Sequence, residues 1–158
     1  MTDFTAPRTR EYDPRSLDQP RLYSGVRTRR MVSFLIDYTI VLLLMIPAAI
    51  VVFFLGILSF GLGWSLYAIL FPVVAIPYVG FTMGGSHQAT PGMRFANVRV
   101  ARLDGERVDP AIAVLHGVIF WAANAVLTPF VLLVALFTPR KQLLQDLLLG
   151  TVVVRNDR

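Results

Sequence analysis

The chain has no cysteine, which excludes disulfides, thiolate metal sites and cysteine nucleophiles. Lysine is nearly missing too, since fourteen of the fifteen basic residues are arginine. Charge of either sign is scarce, at 16% of residues against about 25% in an average soluble domain. The ten acids and two histidines form no metal-ligand cluster and no close catalytic pair of carboxylates. A hydrolase elbow is also absent. Thr90-Pro91-Gly92 with Arg94 has the look of a small anion-binding turn, but lacks the glycines and lysine of a phosphate loop. These absences point away from an enzyme, a cofactor and a metal.

What is present is apolar. Hydrophobic residues make up 55% of the chain and the mean hydropathy is +0.61, a membrane signature and not that of a large soluble core. The net charge of +5 would suggest nucleic acid in a soluble protein. Here the arginines flank apolar runs, so they read as orientation signals and as contacts to anionic lipid, with no nucleic acid.

In chain order, residues 1–28 read as a flexible basic tail with Pro7, Pro14 and Pro20 and no periodicity. The membrane domain occupies 29–154, and 155–158 form a short C-terminal tail. The first apolar run, 30–58, is too long for a signal-peptide core and reads as an uncleaved span, with Pro47 as a kink. A second span covers 64–83, with Trp64 and Tyr78 near opposite interfaces. Residues 84–110 are polar: a turn-rich stretch, a short strand within 95–103, an Asp-Gly turn at 104–105, and a cap at Asp109-Pro110. A third apolar segment, 111–137, either crosses the bilayer or dips in and returns. Thr138-Pro139 opens a short amphipathic interfacial helix, with leucines 143, 144, 147 and 148 on one face and Lys141, Gln142, Gln145 and Asp146 on the other. Gly150 ends it, and 151–154 form a strand that can pair with 95–103. The fold class is therefore an all-α integral membrane protein with a small cytoplasmic β pairing.

Basic residues number seven in 1–30, none in 57–63, four in 84–110 and four in 138–158. Two spans place the first and third groups on one side, assigned to the cytoplasm. A crossing third segment splits the basic residues eleven to four, whereas a re-entrant one keeps all fifteen inside and satisfies the positive-inside rule better.

Three ordered stretches resemble the RDD family of small bacterial membrane proteins: Arg30 to Asp37; Gln88-Ala-Thr-Pro-Gly-Met-Arg94 leading into Val98-Arg-Val100; and Arg140 to Val154, containing Asp146. The resemblance implies that Arg30, Asp37 and Asp146 are the arginine and two aspartates that name the family. It also implies a bacterial inner-membrane location. Transport of unidentified ligands is suspected for such proteins, and sodium–proton exchange is linked to some. Gln145 stands where many members have histidine, and His116 where an arginine is common.

The candidate ligand or ion residues are Arg30, Asp37, Asp146, Arg94 and His116. Asp37 leads, because a lone carboxylate inside an apolar helix costs roughly 2.5–3.5 kcal/mol near the bilayer centre unless something compensates it. Its alternatives are a proton or cation site and a fixed structural pair. Asp146 reads as a backbone cap or a partner of Arg30 or Arg94, Arg30 as a lipid-facing anchor or a ligand residue, His116 as a proton relay or a packed, hydrogen-bonded residue, and Asn124 as an interhelical hydrogen bond. The leading function is transport or cation/proton exchange through a homo-oligomer or a larger complex. A non-transporting accessory subunit or scaffold is the alternative, and a lipid-binding protein is a third reading.

Overall fold

A computed structural model describes Leu17, residues 19–127 and residues 138–156. The backbone begins its first helix, α1 (Val26–Leu58), after Gly25 in the left-handed region. Its 33 residues rise about 50 Å, more than the ~30 Å core of a bilayer. The surplus places its first turns, with Arg27, Arg29 and Arg30, outside the apolar belt that begins at Met31. Pro47 sits inside the helix.

At Ser59 the chain reverses. The Ser59 hydroxyl donates to the Leu55 carbonyl at 2.6 Å and accepts the Gly63 N–H at 2.7 Å. The return path starts with a 3-10 run, Leu62–Ile69, and continues as α2 (Leu70–Met83). Tyr67 donates to the Ala49 carbonyl at 2.9 Å and Trp64 to that of Phe53 at 3.3 Å, which lashes the 3-10 run along α1. The second span thus starts two residues before Trp64, and more tightly wound than a regular helix. Pro20–Leu58 and Leu62–Met83 are both long and apolar enough to cross a membrane. Only 17% and 22% of their most apolar windows are buried, so neither behaves as a soluble core helix.

A polar collar gathers at the other end of these helices. Helix α3 (Pro91–Phe95) leads into β1 (Val98–Arg102), and after α4 (Pro110–Leu127) and α5 (Leu144–Leu149) the chain closes with β2 (Thr151–Arg155). The strands pair antiparallel, from Val98 opposite Arg155 to Arg102 opposite Thr151, as the sequence pattern predicts. One sheet face, with Val98, Val100 and Val153, packs on Val26, Met83, Val108 and Ala113. The other, with Ala101, Val152 and Val154, is covered by Leu17 and Tyr23. Two covered faces explain why Thr151 to Val154 are all buried rather than alternating.

That second cover departs from the expected tail. Pro20–Tyr23 form a 3-10 turn, and the Tyr23 hydroxyl donates to the Leu17 carbonyl at 2.7 Å. Lys141 in turn donates to the Tyr23 carbonyl at 2.6 Å. Residues 1–16, the Asn124 side chain, the break expected at Thr128-Pro129 and the rest of the third segment through 137 lie outside the described residues.

Asp109 caps α4 as expected, accepting the Ile112 N–H at 2.8 Å. Thr138 instead closes a loop by exchanging hydrogen bonds with the Gln142 backbone, and the helix starts only at Leu144. Its amphipathic sense also differs from a polar face turned to water. Gln142, Gln145 and Asp146 are buried against the protein, while Leu147 and Leu148 point outward. The polar groups turn inward because they find their partners there, Gln142 Nε2 donating to the Thr151 carbonyl at 2.8 Å and Asp146 pairing with Arg30.

Candidate functional site

Arg30, Ser33, Phe34 and Asp37 recur at helical spacing and line one stripe of α1. Asp37 stands two turns beyond Arg30, about 10.5 Å along the axis. Opposite this stripe the chain places the start of α3. Thr90 is its N-cap, with Oγ1 accepting the Met93 N–H at 3.2 Å. The same hydroxyl donates to Asp37 Oδ2. Gly92 N–H donates to Asp37 Oδ1 at 2.8 Å, and Tyr78 Oη from α2 donates to that oxygen at 2.6 Å. The turn that reads as an anion-binding turn therefore holds an anion of the protein itself, the Asp37 carboxylate. Gly92 is required for the approach, since a Cβ there would lie 2.3 Å from the Ser33 carbonyl oxygen.

The donors to Asp37 are all uncharged. Among the described residues no basic group lies within ion-pair distance of it. Arg30 pairs elsewhere, with Oδ2 of the fully buried Asp146. Asp146 Oδ2 also accepts the Leu143 N–H at 3.0 Å, and its Oδ1 accepts the Thr151 hydroxyl at 3.4 Å. His116 Nδ1 lies 3.7 Å from the same Oδ1. One carboxylate thus joins α1, α4, α5 and β2.

Between the two aspartates is a cavity of about 110 Å³, whose polar lining includes Arg30, Asp37, Thr90, His116 and Gln145. Phe34, Phe120 and Trp121 wall its apolar side, with ring centroids 5.5–5.8 Å apart. Three buried polar atoms here have no hydrogen-bond partner among the described residues: Arg30 Nε, His116 Nδ1 and Gln145 Oε1. Leaving such atoms unpaired costs about 1–3 kcal/mol each, so a polar occupant that bonded them would be stabilised, in a cavity whose walls are mostly apolar. Its size suits a few waters or a small hydrated ion and falls below the ~300 Å³ of ordinary organic-ligand sites. Of the two aspartates, Asp146 is paired with Arg30, and Asp37 is held by neutral donors among the described residues.

Of the five residues proposed from the sequence, Arg30, Asp37 and His116 line this cavity, and Asp146 lies directly behind Arg30 and His116. Arg94 does not join them. It is exposed on α3 and lines a separate groove. Tyr78, Gly92 and Gln145 were not legible as members. Tyr78 has the look of an interface aromatic, and only its 41-residue reach to Asp37 reveals the role.

A family profile for the RDD family matches residues 25–150, which contain Arg30, Asp37, Tyr78, Thr90, Gly92, His116, Gln145 and Asp146. No curated protein and no solved structure matches the chain. With four-fifths of its length covered by that match, the chain belongs to the RDD family.

Proposed function

We propose that this protein binds a proton or a small monovalent cation in the cavity between Asp37, Arg30, His116 and Gln145, and moves it across the bacterial inner membrane in exchange for another cation. The observation that carries this reading is the charge count: the buried Asp146 and the half-buried Asp37 stand beside one arginine, Arg30, at a cavity with three polar atoms unpartnered among the described residues. A bound proton or cation supplies the missing positive charge, and Gln145 Oε1 and His116 Nδ1 offer it lone pairs. Two or three helices enclose little path by themselves, so transport calls for a homo-oligomer or a larger complex.

The third apolar segment is re-entrant in this reading. Val108, just before it, and Val153, beyond it, belong to the same collar core, which supports both termini lying on the cytoplasmic side. The N-terminal arginines then face anionic lipid.

A scaffold or accessory subunit is the second reading, favoured by the full set of hydrogen bonds on Asp37. Proton flux in dye-loaded proteoliposomes separates the two. Flux driven by sodium, potassium or lithium in native protein and lost in folded Asp37→Asn supports exchange. Silent, well-folded native protein supports the scaffold.

A further inference from the structure

On the far side of α3 from the cavity lies a groove of about 1030 Å³ whose charged lining, among the described residues, is all arginine. Arg29, Arg94, Arg99 and Arg155 line it together with Asn97 and Asn156, and among the described residues no carboxylate lines it. The convergence is built by the backbone. Arg29 is fixed by donating to the Ala96 carbonyl at 2.6 Å. The strand register brings Arg99 and Arg155 to the same end of the sheet, opposite Val154 and Val98 respectively. Asn156 N–H donates to the Asn97 carbonyl at 2.9 Å, which closes that end. Gln88 stiffens the floor: its side-chain amide exchanges hydrogen bonds with the Val108 backbone at 2.6 and 2.8 Å, and its carbonyl accepts the Val100 N–H at 2.9 Å.

The guanidinium groups of Arg29, Arg94 and Arg99, held on three segments, repel one another, and an anion relieves that repulsion. Arginine forks match the paired oxygens of a phosphate, which a lysine point charge does not. The volume exceeds what a lone inorganic ion fills. Arg29 is also two residues ahead of the exposed apolar belt that starts at Met31, so the groove lies at headgroup depth.

We infer that this groove is a binding site for a phosphate-bearing anion, carried on a lipid headgroup or on a soluble phosphorylated molecule. It is distinct from the Asp37 cavity and does not depend on the function proposed there.

The test is calorimetry on the full chain in neutral detergent at moderate salt, washed until retained phospholipid falls below one phosphorus per chain. The probes are inorganic pyrophosphate and monomeric dihexanoyl phosphatidic acid. Native protein should bind at least one of them at one site per chain, and Arg94→Gln/Arg99→Gln should weaken binding at least tenfold. Both side chains are exposed, so the fold should persist. If the double variant aggregates, Arg99→Gln alone should show a loss of about threefold. Binding of the lipid alone identifies a headgroup site, and of pyrophosphate alone a soluble ligand. Binding of both identifies a site that reads only the phosphate. Native protein that binds neither probe at millimolar concentration, or folded variants that bind as tightly as native, would overturn the inference.

Discussion

Gly92 donates its backbone N–H to Asp37 Oδ1 across 2.8 Å, and that bond holds the collar against the first membrane helix. It exists only because position 92 has no side chain: a Cβ would come within 2.7 Å of the Asp37 carboxyl carbon. Gly92→Ala should therefore push α3 away from α1 and lose ~3 kcal/mol, from overpacking plus the broken bond. Thermal unfolding in detergent reads this, and a native-like midpoint would show that the close approach is not structural.

Asp37 separates charge from shape. Asparagine keeps an acceptor for Gly92 and Tyr78, and its amide can donate to the Thr90 hydroxyl, which accepts as readily as it donates. Alanine leaves all three donors without an acceptor. Asp37→Asn should stay within ~1 kcal/mol of native stability, and Asp37→Ala should lose ~3 kcal/mol or more. Equal damage from both would mean that the negative charge itself holds the fold.

The Arg30–Asp146 pair is buried on the acid side and only 13% exposed on the arginine side. Removing one partner strands the other, at a cost of ~3–5 kcal/mol. Arg30→Met and Asp146→Asn should each be severe, and the double variant should recover part of the loss. A double-mutant cycle measures that coupling, and additive losses would contradict it.

Topology is accessible because the native chain has no cysteine. Single cysteines at Thr2 and Asp157 should label from the same side of the membrane. Phe60→Cys, at the fully exposed tip of the first hairpin, should label from the other. Asp157 labelling with Phe60 would rule out the re-entrant third segment.

Much of this was legible in the sequence, for identifiable reasons. Alternation about Arg99 exposed the first strand, and the run Thr151-Val-Val-Val the second. The arginine and two aspartates could be picked out because charge beside long apolar runs is expensive. Their pairing was not legible. Asp37 and Arg30 share a helix face, yet Arg30 bonds an acid 116 residues away and Asp37 takes neutral donors. Periodicity reports the face a residue occupies and not what the chain later folds against it. The same limit explains the short leucine helix, where the pattern marks two faces but cannot say which meets lipid. Leu17 and Tyr23 were hidden by their isolation, since two apolar residues among prolines and mixed charge make no period.

Asp37 stands beside the cavity with no cationic partner among the described residues, and proton release reads that charge directly. Purified protein in weakly buffered detergent, with a pH dye, is mixed with sodium, lithium or potassium chloride. A cation exchanging with a proton at Asp37 should release close to one proton per chain from native protein and none from folded Asp37→Asn. Equal release from both, or none from either at any pH between 5 and 9, would contradict it.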